Sequence, residues 1–546
     1  MKLPYSKSFS ILHTLIISLL LVVCYYSAIA SPTTLNIDGD LILTALGRYL
    51  DHGGYWSDLF HFRTFDFQPV RDLSLAVDII VARHTGLNLW LWQNFVFWGL
   101  ACHFLGKIIQ RLHPTLSVPV VFVIVFLFAI YPLFSATLLW GMARKHLLAL
   151  CFTLIPTPHW IEFLLDGRRK HLYWVTISYF LAVFAQPIGV FWPVWAAAYA
   201  WSVYPQETKH YKKLIPCFVI AVITLIVNYY YYWLSPTFAQ VFNAKFDGGW
   251  FSGDKLLALG HYLYQLLMPY HLSYNYSLGS WTTLAGLGIL LVACLGIYKY
   301  SGNRAKFVIW SLFIFAPLAI VTINPLIKFD SYLLLPAVGV LLMLLELIPA
   351  SWFSTKYAKV LTFVLILIWL PLNFIEAKLW SSPVSFYYQR NFLRQPSCES
   401  AQYAIGHMLI NEGKITEDLR QFTAANECFK MREAKLNDDA HYLRILAGVV
   451  YTDKALEFEK KTNILENLGR QFYYPKLLMA LNYYENNMAE KAQTLFTEEA
   501  KEYRPEEWDY FFDYLVSKEL IPYCEQHRNS DCLKITSHQR EREKRF

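Results

Sequence analysis

Long apolar runs recur along this chain from Phe9 to Ile375, and short polar turns separate them. Many of the runs approach the roughly 20 residues that a helix needs to cross a bilayer. After Glu376 charged residues become dense, apolar residues take helical spacing, and no run of spanning length remains. The pattern predicts an all-α protein in which a polytopic membrane domain, residues 1–380, precedes a soluble helical domain, residues 381–546. The predicted spans, about eleven in all, are 9–29, 87–106, 116–134, 146–165, 173–185, 188–203, 214–233, 283–298, 306–323, 332–348 and 358–375.

Basic residues cluster in alternate turns between the predicted spans. Because loops rich in lysine and arginine tend to stay in the cytoplasm, these turns and the N-terminus are predicted to be cytoplasmic. An odd number of spans then places the C-terminal domain outside, so we expect a multi-pass inner-membrane protein with a periplasmic C-terminal domain. The basic turns contain Lys107 and Arg111; Arg168, Arg169 and Lys170; Lys209, Lys212 and Lys213; Lys299, Arg304 and Lys306; and Lys356 and Lys359.

The first apolar run has an alternative interpretation. Residues 1–31 also resemble a signal peptide, with two N-terminal lysines, an apolar stretch and Ala28-Ile29-Ala30 before Ser31. The apolar stretch is longer than most such stretches in signal peptides, which favours a retained span. Either interpretation leaves the long loop over residues 30–86 on the outer side.

The composition agrees with a membrane protein, since 55% of the 546 residues are hydrophobic, 17% are aromatic and only 16% are charged. Soluble globular chains carry about 25% charged residues. The sequence contains no P-loop, no glycine-rich dinucleotide motif after a strand and no nucleophile elbow. A cytoplasmic nucleotide-sugar site is therefore not predicted, and we expect no nucleic-acid partner.

Two carboxylates, Asp38 and Asp40, open the first outer loop just beyond the first span. They are two residues apart, so in a turn both side chains can lean towards one site. Ionisable groups at the mouth of a membrane domain are costly and usually functional. The alternative is a polar turn at the membrane interface, or a cap for a helix that begins near Leu41.

Several cationic side chains are predicted to face outwards against the charge bias. Guanidinium and ammonium groups make charge-assisted hydrogen bonds to phosphate oxygens, so they would suit a lipid phosphate. The simpler explanation for each is an anchor at the interface whose charge reaches water. Together with the paired carboxylates, they indicate group transfer from a phosphorylated lipid. The outward cations are Arg71, Arg144, Lys145 and Lys328.

Five short blocks of the membrane domain carry a further signal. They are Phe67-Gln68-Pro69-Val70-Arg71-Asp72-Leu73-Ser74-Leu75; Tyr131-Pro132 with Trp140 and Ala143-Arg144-Lys145; Gln186-Pro187-Ile188-Gly189 with Pro193; Met268-Pro269 with Leu272-Ser273-Tyr274-Asn275-Tyr276; and Phe329-Asp330-Ser331-Tyr332-Leu333-Leu334-Leu335-Pro336 with Gly339. In order, they resemble blocks of the GT-C class of integral-membrane glycosyltransferases. The branch they resemble most carries tetratricopeptide repeats and includes the transmembrane O-mannosyltransferases.

The resemblance implies an inverting transfer of a sugar from a polyprenyl-phosphate donor to a hydroxyl of an acceptor protein or envelope glycan at the outer face. Asp38 or Asp40 would be the general base that takes the acceptor proton. Asp330 and Tyr332 would position the substrates. Some members use a divalent cation, and paired carboxylates would suit Mg²⁺ or Mn²⁺. The leaving phosphate would be held by Arg71, Arg144, Lys145 and Lys328.

The chain departs from the family pattern at several polar positions. A changed donor, a changed acceptor or loss of activity would each explain these departures. A different class of function, a non-catalytic scaffold or lipid-linked glycan carrier that recruits partners, is the alternative. The departures are Ala136 in place of Glu, His146 in place of Asp, Gln186 in place of Lys, Asn275 in place of Asp and Ser331 in place of Arg.

Residues 474–505 of the C-terminal domain resemble one tetratricopeptide unit. The small and aromatic residues of such a unit are matched by Ala480, Tyr483, Ala492 and Phe496. A generic helical hairpin is the alternative. As a repeat, the segment would help to form a concave surface that presents an acceptor to the membrane site.

The nine cysteines divide between two environments. Five lie in or beside the predicted spans and are expected to be buried: Cys24, Cys102, Cys151, Cys217 and Cys294. Four lie in the outer domain, where an oxidising compartment predicts two disulfides, most simply Cys398–Cys428 and Cys524–Cys532. Neither CxxC spacing nor a cysteine–histidine cluster is present, so no zinc site is predicted.

Overall fold

Helices make up nearly all of the described chain, and no strand occurs in that part. The computed structural model describes residues 9–30, 67–86, 90–203, 208–234, 259–260, 262–266, 284–286, 288, 304–322, 330–381, 457–469 and 473–501. The predicted all-α class is confirmed for these residues. The chain divides into two compact units, Met1–Ser382 and Pro383–Phe546.

Most α-helices in the described part of the first unit follow the predicted apolar runs, whereas α3 lies in the predicted outer loop and α6 lies between two predicted spans. They are α1 (Ile11–Cys24), α2 (Tyr26–Ala30), α3 (Pro69–Thr85), α4 (Trp90–Leu112), α5 (Val118–Ala129), α6 (Ser135–Leu139), α7 (Arg144–Leu154), α8 (Pro156–Asp166), α9 (Arg169–Ala185), α10 (Trp192–Val203), α11 (Ile215–Leu234), α12 (Arg304–Thr322), α13 (Leu334–Leu347) and α14 (Lys356–Leu379). Short 3₁₀ turns adjoin them at Pro132–Phe134, Gly141–Ala143, Pro187–Phe191, Thr208–Leu214, Asp330–Leu333 and Ala350–Ser354.

Three helical stretches in the described part of the chain are long and apolar enough to cross a membrane: Arg144–Asp166, His210–Tyr230 and Lys356–Leu379. A fourth is added if Val118–Ala129 and Pro132–Leu139, bent by 49° at their junction, form one span. Shorter apolar helices occupy other predicted spans, and most of the run 283–298 lies outside the described residues. The expected number of about eleven spans therefore stays a prediction.

Large aromatic side chains fill the core of the first unit. Trp98, Trp160, Trp192, Trp195 and Trp310 are all fully buried. The predicted burial of cysteines is confirmed for Cys24, Cys102, Cys151 and Cys217, and Cys294 lies outside the described residues. The helices of the first unit therefore pack against one another through buried aromatic and small apolar side chains.

The α3 helix, which carries the first resemblance block, has clear start and stop signals. Pro69 begins it, at a position where a missing backbone N–H costs nothing. Gly86 ends it in the left-handed conformation (φ 70°), and its N–H donates to the Ala82 carbonyl at 2.9 Å. Helix α3 packs against α7 and α9. This packing brings the polar face of α3 against the start of α7.

In the second unit, the described residues form three helices: α15 (Phe458–Gly469), α16 (Tyr473–Glu485) and α17 (Ala489–Lys501). Asn487 takes a left-handed conformation (φ 62°) in the turn between α16 and α17. Ala480 and Ala492, two of the predicted repeat positions, are buried between the packed helices. The unit therefore contains a helical hairpin, and its identity as a tetratricopeptide repeat stays a prediction.

Candidate functional site

One face of α3 buries charge. Arg71, Asp72 and Asp78 are exposed by only 1%, 2% and 4%, and Leu75 is buried beside them. Residues 71, 75 and 78 follow helical spacing, so they lie on one face, which is directed into the protein. Since charged groups are rarely buried without partners, we expect groups of opposite charge or hydrogen-bonding groups to contact this face.

Arg144, the first residue of α7, supplies one of those partners. Its side chain is fully buried, and its guanidinium forms an ion pair with the Asp78 carboxylate. Nε of Arg144 donates to Oδ1 of Asn94 at 3.0 Å, and Nη1 donates to the Ser74 carbonyl at 3.3 Å. Asn94 in turn donates to the Leu138 carbonyl at 3.0 Å. Arg144 therefore joins α3, α4 and α7.

Asp78 lies on α3, outside the helices long enough to cross a membrane. Desolvation by burial raises the pKa of its carboxyl group, and the Arg144 guanidinium opposes that rise through its charge and a hydrogen bond. Desolvation has the larger effect. The Arg144 guanidinium thus limits the rise in the pKa of the Asp78 carboxyl group.

Arg71 lies one turn before Ser74 on the same helix and makes its own carboxylate contact. Nε of Arg71 lies 2.8 Å from Oδ1 of Asp72. Ser74 links the two arginines, because its hydroxyl donates to the Arg71 carbonyl at 2.7 Å while its own carbonyl accepts from Arg144. Arg71 and the guanidinium group of Arg144, two of the predicted phosphate-binding cations, therefore lie beside the same turn of α3.

Two further resemblance blocks reach the same helices. Gln186 follows α9, and its Oε1 accepts from Nε2 of Gln68 at 2.5 Å. Tyr332 lies edge-on to the ring of His146 on α7, with ring centroids 4.7 Å apart. Lys145, between Arg144 and His146, is half-buried. Hydrogen bonds thus join the first block to the second and to the third, and Tyr332 of the fifth block contacts the residue that directly follows the second.

The remaining predicted site residues are only partly described. Asp330 begins the 3₁₀ turn before α13, but its side chain lies outside the described part of the structure. The positions that lie wholly outside it are Asp38, Asp40, Lys328, Cys398, Cys428, Cys524 and Cys532. Their predicted roles stay predictions.

Sequence analysis did not single out Asp78 or Asn94. A signal for Asp78 was present, because it lies seven residues after Arg71 and a carboxylate at that spacing shares the helix face. Asn94 gave no comparable signal, since a lone amide in an apolar helix is compatible with many contacts. Its role depends on α4 lying beside the start of α7.

A second polar cluster lies where α8 meets α9. Its members, His159, Glu162 and His171, offer ligand atoms that all lie within 4.8 Å of one another, so they could hold a metal ion. Sequence spacing did not indicate this group, because His171 comes from a different helix than His159 and Glu162. No family model matches the chain, and no curated protein matches it in sequence.

Proposed function

We propose that this protein is an integral-membrane glycosyltransferase of the GT-C class that moves a sugar from a polyprenyl-phosphate to a hydroxyl acceptor at the outer face of the membrane. The observation that carries the proposal is the contact between blocks that are distant in the sequence. Arg144 reaches α3 beside Arg71, Gln186 bonds Gln68, and Tyr332 packs on His146. Of these residues, Arg71, Arg144 and Tyr332 are ones to which the resemblance assigns a role at the substrate site.

The outward-facing surfaces of two helices support a location in the membrane. Val360 and Phe363 on α14 and Ile226 on α11 are each 61% exposed. Surface-exposed apolar stripes of this length are costly in water and favourable in lipid. A cytoplasmic N-terminus and a periplasmic C-terminal domain complete the proposed topology.

In the proposed reaction, the acceptor hydroxyl gives its proton to the carboxylate of Asp38 or Asp40. The acceptor oxygen forms a bond to the anomeric carbon as the bond from that carbon to the phosphate oxygen breaks. The lipid phosphate leaves with the electron pair, and the configuration at the anomeric carbon inverts. Asp38 and Asp40 would also be the ligands of Mg²⁺ or Mn²⁺ in an enzyme of this class that uses one.

The buried contacts suggest a division of labour among the cations. Arg144 is fully buried and bonded to three groups, so we assign it to positioning of α3, α4 and α7. Lys145 is half-buried and directly follows it, which makes its ammonium group the better candidate for the leaving phosphate. Arg71 and Lys328 would contribute further positive charge, and Asp330 and Tyr332 would position the substrates.

The test is transfer of a radiolabelled sugar by the purified full-length protein in lipid nanodiscs. A panel of polyprenyl-monophosphate and polyprenyl-diphosphate sugars serves as donors, and a cell-envelope extract supplies acceptors. We expect Asp38→Asn or Asp40→Asn to lower the rate at least about 100-fold, the usual contribution of a general base. Lys145→Ala should lower it as well, while Lys170→Ala, an exposed lysine in a predicted cytoplasmic turn, should not.

Two results would overturn the proposal. Full activity in both aspartate variants would remove the catalytic assignment. Absence of transfer by the wild-type protein from every donor in the panel would leave the non-catalytic scaffold as the better explanation.

A further inference from the structure

The turn between α8 and α9 holds its side chains in a defined arrangement. Gly167 takes a left-handed conformation (φ 69°), and its N–H donates to the Phe163 carbonyl at 2.9 Å, which ends α8. Oδ1 of Asp166 accepts from the Arg168 backbone N–H at 2.9 Å. His171 therefore faces the last turn of α8 within five residues of Asp166.

Three ligand-type atoms meet at this turn. Nδ1 of His159 lies 3.3 Å from Nδ1 of His171 and 3.6 Å from Oε2 of Glu162. Nδ1 of His171 lies 3.3 Å from the same Oε2 atom. His159 and Glu162 are three residues apart on α8 and share its face, and α9 brings His171 across to them.

We propose that His159, Glu162 and His171 bind a divalent transition-metal ion of the Zn²⁺ type. Bonds of about 2.0–2.2 Å from Zn²⁺ to nitrogen and oxygen place tetrahedral ligands about 3.3–3.6 Å apart. The three measured separations, 3.3, 3.3 and 3.6 Å, match those edges. One triangular face of a tetrahedron is therefore already formed.

Groups around the triangle hold the ligands as metal sites generally require. Nε2 of His171 lies 3.3 Å from Oδ2 of Asp166, so a hydrogen bond there leaves Nδ1 of the ring as the ligand. Nη2 of Arg111 donates to Oε1 of Glu162 at 2.6 Å, which leaves Oε2 to face the histidines. The His159 ring stacks on Trp174 at 6.1 Å between centroids.

The ligand set selects the class of ion. Two imidazoles and one carboxylate oxygen suit Zn²⁺, Co²⁺, Ni²⁺ or Cu²⁺, whereas Mg²⁺ and Ca²⁺ prefer sites built from oxygen. His159 and Glu162 are exposed by 24% and 25%, so the triangle can be reached by an ion from outside.

This site is separate from the proposed sugar-transfer site and does not rest on it. The α8–α9 turn carries Arg168, Arg169 and Lys170, which the charge rule assigns to the cytoplasm. The proposed metal would thus be bound at the membrane face opposite to Asp38 and Asp40. A structural or regulatory metal at the base of the helical bundle fits this location.

The test uses full-length protein carrying a tag without histidines, treated with a chelator and titrated with Co²⁺ and then Zn²⁺. We expect one Co²⁺ per chain, with the visible absorption of tetrahedral Co²⁺, and its displacement by Zn²⁺. His159→Ala and His171→Ala should weaken binding at least about tenfold, and Asp166→Asn about tenfold or more through the orientation of His171. His84→Ala, an exposed histidine at the end of α3, is the matched control.

Folding of the variants is checked by a second measurement. Zn²⁺ should raise the unfolding temperature of the wild-type protein and of His84→Ala. It should not raise the unfolding temperature of the double variant that carries Glu162→Gln and His171→Ala. The proposal would be overturned if His159→Ala and His171→Ala bound Co²⁺ as tightly as the wild-type protein, or if the wild-type protein did not bind Co²⁺. The cluster would then be a hydrogen-bonded histidine–glutamate network only.

Discussion

Arg144 loses all contact with solvent and is bonded to Asp78, Asn94 and the Ser74 carbonyl. A buried ion pair of this kind adds little stability relative to well-packed apolar residues. Loss of one partner is different, because the remaining charge is then buried without compensation. The pair is consequently more important for the arrangement of α3, α4 and α7 than for net stability.

A double-mutant cycle at residues 78 and 144 tests this view. Arg144→Met and Asp78→Leu should each lower the free energy of unfolding by about 3–5 kcal/mol, since each leaves a single buried charge. The double variant should cost much less than the sum. Unfolding of the purified protein in detergent measures the effect, and the half-buried Lys145→Met is the neighbouring control. Additive losses would show that the two residues act independently.

At the scale of the residue, the sequence singled out Arg71 and Arg144 without indicating that they are buried or which groups they contact. Arg71, Arg144 and Lys145 were singled out because they are predicted to face outwards against the charge bias, and two of these three are fully buried. Asp78 and Asn94 complete the Arg144 contacts from positions 66 and 50 residues away. Local pattern carries no information about contacts over such separations.

Pro132 and Pro156 mark two helix junctions that differ in their geometry. The predicted span 116–134 is interrupted after Ala129, and Pro132 begins a 3₁₀ turn, because proline cannot donate to the preceding turn. Pro156 has a milder effect. It begins α8, but the residue before it, Ile155, keeps helical dihedral angles (φ −61°, ψ −50°), so Arg144–Asp166 remains one helical stretch. Both prolines stand at the first position of their helix, and the difference lies in the residue before each: Tyr131 is extended (φ −63°, ψ 121°), whereas Ile155 is helical.

The crossing of α12 and α13 depends on the absence of a side chain at Gly339. A Cβ atom there would lie 2.7 Å from Cγ1 of Ile314 and 3.1 Å from backbone atoms of Ile314 and Phe313. Small residues allow helices in membranes to approach closely. Packing at this point is therefore set by backbone contact.

We expect Gly339→Ala to destabilise the protein by about 1–3 kcal/mol through overpacking. Gly288→Ala is the matched control, because Gly288 is also helical and nothing lies within 4 Å of a Cβ atom built there. It should be neutral or slightly stabilising, since alanine favours helix over glycine by about 1 kcal/mol. Thermal unfolding in detergent compares the two. Addition of Ile314→Ala should recover part of the loss at Gly339, and equal stability of the two glycine variants would contradict the account.

At the scale of the whole molecule, apolar side chains are found both in the core and on the outside. Trp98 and Trp160 are fully buried, whereas Val360 and Phe363 are 61% exposed on α14. In water such an outer surface would drive association, and in lipid it is already solvated. The exposed stripes are consistent with the proposed membrane association of the first unit.

Reporter fusions test the proposed orientation. Alkaline phosphatase fused after Phe546 should be active, because the C-terminal domain is expected in the periplasm, where the enzyme can form its disulfides. The same reporter inserted after Lys170 should be inactive, since that turn is expected in the cytoplasm. Green fluorescent protein at the two positions should give the reverse pattern. If the reporter gave the same result at both sites, the predicted odd number of spans between Lys170 and the C-terminal domain would be wrong.

The sequence by itself determined the helical class, the positions of most helices and the change of character after Glu376. These properties follow from hydrophobic periodicity and proline placement, which act over a few residues. Only the tertiary structure decided that Arg144 pairs with Asp78 and that His159, Glu162 and His171 converge at the α8–α9 turn. Such groups meet because helices pack side by side, and the packing partner of a helix depends on surfaces formed by distant parts of the chain.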